Sequence, residues 1–187
     1  MNKLSLVVIA ITVFTLTAFK SSASKLVSKD AHISFFSHTA VEDITANNYK
    51  VVSTLDPTTG DIVYSVPMQS FEFEKALMQK HFNSKDFLNT KKYPKAKFAG
   101  KISNLEAVDF DKDGTYDVLV VGDLNIKEVT KRLNEKATIT VEGGKVTLGS
   151  KMNIVLADYG VTFTKGKPST NVAKEVEITV KAIYGQE

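Results

Sequence analysis

The chain is 187 residues long, carries 24 Lys and Arg against 21 Asp and Glu, and has no cysteine. That length fits one domain with one core, and the missing cysteine excludes disulfide staples, thiol catalysis and a lipidated-cysteine anchor. Lys supplies every positive charge except Arg132, acids and bases are interspersed, and no basic stripe is interleaved with aromatics, which argues against nucleic-acid binding.

The amino terminus reads as a secretory signal peptide. Met1-Asn2-Lys3 is a short positive start, and Leu4 to Phe19 is apolar apart from Ser5, Thr12, Thr15 and Thr17. Small residues follow at Ser21-Ser22-Ala23-Ser24, the kind of site a signal peptidase cuts. The apolar run is short of the ~20 residues a bilayer span needs. Residues 1–23 are therefore assigned to a signal removed near Ala23-Ser24, and 24–187 to one domain in a periplasmic or secreted protein. Removing Lys3 and Lys20 takes the 24 basic residues to 22, against 21 acidic, so the mature chain is nearly neutral. It has no stable membrane span and is expected to act as a monomer or homodimer.

Beyond the signal the dominant period is two. Strands are expected over Ala31–His38, Val41–Ala46, Lys50–Leu55, Ile62–Val66, Lys97–Ser103, Tyr116–Ile126, Lys136–Glu142, Lys145–Leu156 and Val176–Ala182. Most of them alternate apolar with polar residues, as half-buried antiparallel strands do. Asp56-Pro57-Thr58-Thr59-Gly60-Asp61 is a turn cluster, and Gly143-Gly144 is a two-residue hairpin signal with positive φ at both centres. One stretch departs from this period. From Glu74 to Asn83, Ala76, Leu77, Met78, His81 and Phe82 fall at helical spacing, and Pro94 then restarts extended chain. Hairpin-linked strands with one short amphipathic helix predict an all-β, up-and-down antiparallel barrel, which leaves no open edge.

The inward phase of such a barrel collects Val51, Leu55, Ile62, Tyr64, Val66, Phe98, Ile102, Val118, Val120, Leu124, Ile139, Val141, Leu148, Met152, Ile154, Ile178 and Val180. The helix adds Leu77, Met78, His81 and Phe82 at one end or side. Alternation is equally compatible with a hollow lumen and with one filled by side chains, the second making a structural or interaction module. In a hollow lumen, His81 with Ser84 and Asp86 would offer polar groups at the mouth. His81 packing the helix end is the plainer alternative.

Metal and catalytic signals are weak. His32 and His38 lie on one strand about 20 Å apart, too far to share an ion with each other or with His81. Asp109-Phe110-Asp111-Lys112-Asp113-Gly114 has the first half of a calcium loop, with Asp117 at its ninth position. Its twelfth position is Val120 rather than Glu, and the loop lies between strands, so an acidic hairpin turn is the preferred reading and no metal is assigned. No G-x-S-x-G occurs, and Glu175 and Glu177 read as solvated strand residues. No catalytic residue is assigned.

Several segments together resemble a known family. His81-Phe82-Asn83-Ser84-Lys85-Asp86-Phe87 with Tyr93-Pro94-Lys95-Ala96-Lys97-Phe98 resembles the H-L-x-S-x-D-F-F … P-x-I-x-F signature of the YceI-like polyisoprenoid-binding family. Gly122-Asp123-Leu124-Asn125-Ile126-Lys127-Glu128-Val129-Thr130-Lys131 resembles its G-x-L-x-I-x-G-V-T-K segment. Asp158-Tyr159-Gly160-Val161 is similar to its D-F-G-I element, and Phe35-Phe36-Ser37-His38 more loosely to F-x-x-H. The resemblance implies a lipocalin-like barrel with an apolar tunnel in an envelope compartment. It implies no cofactor beyond a bound polyisoprenoid or quinone-like lipid, and a non-catalytic carrier, storage or scavenging role. Glu128 stands where the family often has Gly, which implies a different turn there.

Overall fold

The computed structural model describes residues 25–40, 42–162 and 173–185. The expected signal and its expected cleavage site lie outside the described residues. Nine strands make one antiparallel sheet: β1 (Leu26–His38), β2 (Asp43–Leu55), β3 (Asp61–Pro67), β4 (Glu72–Phe73), β5 (Lys95–Ile102), β6 (Gly114–Ile126), β7 (Val129–Glu142), β8 (Lys145–Val155) and β9 (Glu175–Tyr184). The order is β1-β9-β8-β7-β6-β5-β3-β2-β4, and β1 also pairs with β2. That last pairing closes every strand except β4 into a ring of eight. The expected lipocalin-like barrel is therefore present.

Its two ends differ in construction. The base is made of short connections: residues 56–60, the Asp109–Asp113 loop and the Gly143-Gly144 hairpin, whose φ angles are 54° and 78°. The other end carries the long 68–94 excursion with the helix α1 (Ala76–Asn83), the 127–128 turn, and a 3-10 turn at Leu156–Tyr159. The helix begins two residues later than the periodicity predicts.

Two expected strands prove to be one. Val41–Ala46 and Lys50–Leu55 both belong to β2, with Val41 itself outside the described residues. Ala31 pairs with Val51 but Ile33 with Asn48, so β2 carries an extra residue at Tyr49-Lys50. The bulge moves the buried phase from Ala46 and Asn48 to Val51, Ser53 and Leu55, which breaks the alternation without breaking the strand. Asn48 secures the bend: its Nδ2 donates to Pro67 O at 2.9 Å, and its Oδ1 accepts from Lys50 N at 3.0 Å. In β1 the mirror irregularity falls between Ser28 and Ala31. A buried, doubly bonded side chain of this kind fixes register where a slip would turn every apolar residue outward.

The Gly100–Gly122 pair has a different origin. These residues face each other across β5 and β6 on the inward phase. A Cβ on Gly122 would meet the Phe98 ring at 2.5 Å and Gly100 Cα at 2.5 Å; one on Gly100 would meet the same ring at 2.6 Å. The two glycines thus form a shallow trough in the wall, and the Phe98 ring lies in it.

Candidate lipid-binding cavity

The upper part of the barrel encloses a cavity of about 570 Å³. β3, β5, β6, β8 and β9 contribute Ile62, Tyr64, Val66, Phe98, Val120, Leu124, Leu148, Met152, Ile154, Ile178 and Val180 to its wall, all on the expected inward phase. Leu77, Met78, His81 and Phe82 of α1 face it from above. The helix is tied down through Asn83 and Thr90: Thr90 Oγ1 donates to Asn83 Oδ1 at 2.7 Å, and Gln69 Nε2 donates to Thr90 O at 3.2 Å. Ser84 carries a buried hydroxyl without a hydrogen-bond partner, while Asp86 is exposed.

Six expected lumen residues are placed elsewhere. Val51, Leu55, Ile102, Val118, Ile139 and Val141 point inward but lie in the base, outside the cavity wall. There the side chains fill the barrel interior. Tyr184 is fully buried among them; its hydroxyl is 2.6 Å from Ser53 Oγ and donates to Tyr64 Oη at 3.4 Å. Tyr64 belongs to both regions, since its ring also borders the cavity. Burial, reinforced by Tyr184, holds the Tyr64 phenol well above its ordinary pKa, and burial likewise raises that of Tyr184.

The wall also contains residues that the period-two reading did not supply. Ile33, Phe35 and Ser37 come from β1, Phe71 and Phe73 from the segment after β3, and Phe87 and Leu88 from the segment after α1. Phe35, Phe71, Phe73, Phe82 and Phe87 form one aromatic cluster, with neighbouring ring centroids 5.0 to 6.5 Å apart. Their geometry is that of favourable tilted and offset aromatic contacts, and together they line the axial end of the cavity beneath α1. The phenylalanines of 71–87 were legible only as scattered apolar residues in a stretch without strand period. From β7 come Leu133, Glu135 and Ala137, and from the 3-10 turn Leu156 and Tyr159.

Among the described residues the lining contains no Lys or Arg. Its carboxylates are Glu42 and Glu135, and Glu42 Oε2 accepts from Lys75 Nζ at 2.8 Å. The other singled-out polar residues are engaged separately. His32 stacks on Tyr49 at 4.5 Å between centroids and bonds Asn47 Oδ1 at 2.9 Å, while His38 pairs with Asp43. Asp109 Oδ1 accepts from Asp111 N at 3.0 Å, Asp113 Oδ1 from Gly143 N at 3.0 Å, and Asp117 Oδ1 from Thr138 Oγ1 at 3.5 Å. These carboxylates serve the turns at the base, and among the described residues no group of three or more His, Asp or Glu side chains is placed to hold a metal ion.

The 127–128 turn takes its positive φ at Lys127, 57°, rather than at Glu128. Lys127 Nζ then donates to Phe87 O at 3.1 Å and Gly160 O at 3.2 Å, joining the turn to both segments above the cavity. Glu128 accepts from Lys92 Nζ at 3.1 Å; hydrogen bonds from Tyr93 and then Lys92 lower its carboxyl pKa. Gly160 adopts φ 62°, the left-handed conformation that ends the 3-10 turn and that suits the glycine of Asp158-Tyr159-Gly160-Val161.

Known proteins show the same architecture. A polyisoprenoid-binding domain from Saccharophagus degradans superimposes with a TM-score of 0.74 at 11% identity, over 87% of this chain and 98% of that one. BcnA of Burkholderia cenocepacia gives 0.67 at 20% identity, over 82% and 95%. The YceI protein of Campylobacter jejuni gives 0.55 at 17% identity, with both chains fully covered. In sequence, a UPF0312 protein of Shewanella denitrificans is 32% identical over 130 residues, 66% of this chain and 63% of that protein. One from Pseudomonas putida is 29% identical over 162 residues, 83% and 78% of the two chains. Among the described residues no helix is long and apolar enough to cross a membrane. The profile of the YceI-like domain matches residues 19–184, so this chain, with its hollow eight-stranded barrel, belongs to the YceI-like family.

Proposed function

We propose that the protein is an exported, non-catalytic lipid-binding protein that holds an isoprenoid-like or other long apolar molecule in its barrel. Its role is carriage, storage or scavenging in the periplasm or outside the cell. The observation that supports this best is the cavity of about 570 Å³ with its apolar wall. At roughly 30 Å³ per methylene-sized group, inferred from the volume share of a water, it accommodates about 20 such groups. Each one moved out of water contributes ~0.8 kcal/mol before ordering costs, enough for tight binding of a C20 prenyl chain. The size is also typical of small-molecule sites. The solved polyisoprenoid-binding domain with the same fold supports the same ligand class. Export is supported by the signal-like sequence of residues 1–23.

The decisive measurement is mass spectrometry of a solvent extract from mature protein purified from its native compartment. A stoichiometric prenyl or similar long-chain lipid is the expected result. An empty protein that also fails to take up added geranylgeraniol or ubiquinone-4 would overturn the proposal.

A further inference from the structure

The barrel wall has a break that the strand order conceals. β7 and β8 pair from Glu142 opposite Lys145 up to Ala137 opposite Ser150, and there the ladder stops. β7 nevertheless runs on to Val129, still paired with β6, and β8 runs on to Val155, still paired with β9. Had the register continued, Glu135 would face Met152 and Leu133 would face Ile154. All of these line the cavity.

The result is a side window with a defined frame. Its sill is the Ala137–Ser150 rung, reinforced by Ser150 Oγ donating to Lys136 O at 2.9 Å. Its lintel is the Leu156–Tyr159 turn, which packs against β7 and is fastened at Gly160 O by Lys127. The exposed stretch of β7 reads Thr130-Lys131-Arg132-Leu133-Asn134-Glu135-Lys136, a run of charge that discourages pairing along an open edge. Glu135 is the exception to the apolar inward phase: it lies between Leu133 and Ala137 on that face and opposite Val120. Its carboxylate makes no hydrogen bond or ion pair among the described residues, whereas Glu42 is occupied by Lys75.

We propose that the β7–β8 window is the portal through which the lipid enters tail first, and that Glu135 at its edge receives a head group carrying an uncharged hydrogen-bond donor. This rests on the lipid-binding reading above. The phenylalanine cluster narrows the axial end under α1, whereas among the described residues nothing pairs the upper parts of β7 and β8. An ionised carboxylate only accepts hydrogen bonds, so it matches the hydroxyl of a prenyl alcohol or phenol. A phosphate head would meet a like charge there, with no Lys or Arg among the described lining residues to compensate.

Because the chain lacks cysteine, single cysteines report cleanly. Glu135→Cys and Lys80→Cys, the second exposed on α1 and outside the cavity lining, are each prepared lipid-free and capped with a bulky maleimide. Uptake of geranylgeraniol is followed by competition with ubiquinone-4, which quenches the tyrosines of the wall. A cap at position 135 is expected to slow uptake at least tenfold, and a cap at 80 less than twofold; the reverse pattern overturns the portal. In uncapped protein, geranylgeraniol should bind at least tenfold tighter than geranylgeranyl phosphate, and Glu135→Gln should narrow that ratio. Equal affinities, unchanged by Glu135→Gln, overturn the head-group assignment. If the unmodified protein binds neither lipid, the lipid-binding function itself fails and the portal falls with it.

Discussion

The base of the barrel and its upper part are built from the same strands, yet one is filled and the other hollow. At the base Leu55, Ile102, Ile139 and Tyr184 fill the barrel interior with essentially no exposure. Higher up, two ladders stop. β2 pairs with β3 only over Val52–Leu55, and β7 with β8 only up to Ala137 and Ser150. The first gap is covered by β4 and α1; the second is left as the window. An eight-stranded barrel is just narrow enough to fill itself with side chains. Above the base the same kinds of residues border the cavity instead. Cavity and core thus differ by depth in the barrel more than by composition.

The contrast is broken most severely at the base. Ile139→Ala removes a fully buried side chain from close packing and should cost about 2–5 kcal/mol in urea unfolding. Met152→Ala, half-buried on the cavity wall, removes atoms that already border empty space and should cost less than about 1 kcal/mol. It should instead weaken lipid binding. Equal losses of stability at the two positions would show that the upper part is as well packed as the base.

How much of this was legible in the sequence follows the same division. The lower half of β7 alternates cleanly, and β6, β8 and β9 do so apart from outward apolar residues such as Leu119, Val121 and Ile183, so their inward residues could be read directly. β2 could not be read as one strand, because the Tyr49-Lys50 bulge reverses its phase midway. The upper half of β7 was hidden by Lys131, Arg132 and Glu135: a strand without a partner on one side has no apolar face to advertise it. The aromatic cluster was hidden because Phe71, Phe73 and Phe87 converge through the folding of an irregular segment rather than through any period. Depth was the last thing missing. Alternation assigns Val51 and Val180 alike to the inside but does not say that one sits in packed core and the other on a cavity wall.

A smaller effect tests the wall itself. Gly122→Ala would force the Phe98 ring from its trough and press on Gly100 Cα, costing about 1–3 kcal/mol as overpacking does. The displaced ring has only the cavity to enter, so lipid capacity should fall together with stability. Gly149→Ala is the control, since a Cβ there meets nothing within 4 Å. A Gly122→Ala protein with unaltered lipid affinity would show that the ring moves along the wall instead of inward.

The smallest effect separates the two regions by pH. Tyr64 and Tyr184 have raised pKa values because burial penalises the phenolate, with their mutual interaction adding at Tyr64. A group whose folded pKa lies above its unfolded value contributes stability that is complete below the unfolded pKa, about 10 for tyrosine. That contribution is lost as pH rises through the folded value. Stability should therefore hold through neutral pH and decline above about pH 10, by at most ~1.4 kcal/mol per pH unit for each such group. Tyr184→Phe removes one titrating phenol and the hydrogen bonds to Ser53 and Tyr64, costing about 1 kcal/mol near pH 7. Its alkaline decline should be shallower, so that the two stability curves converge as pH rises. The measurement is urea unfolding at intervals from pH 7 to 11, with bound lipid removed. Curves that stay parallel would mean that the base admits water readily enough to solvate the phenolates, and that the packed end of the barrel is no drier than the cavity above it.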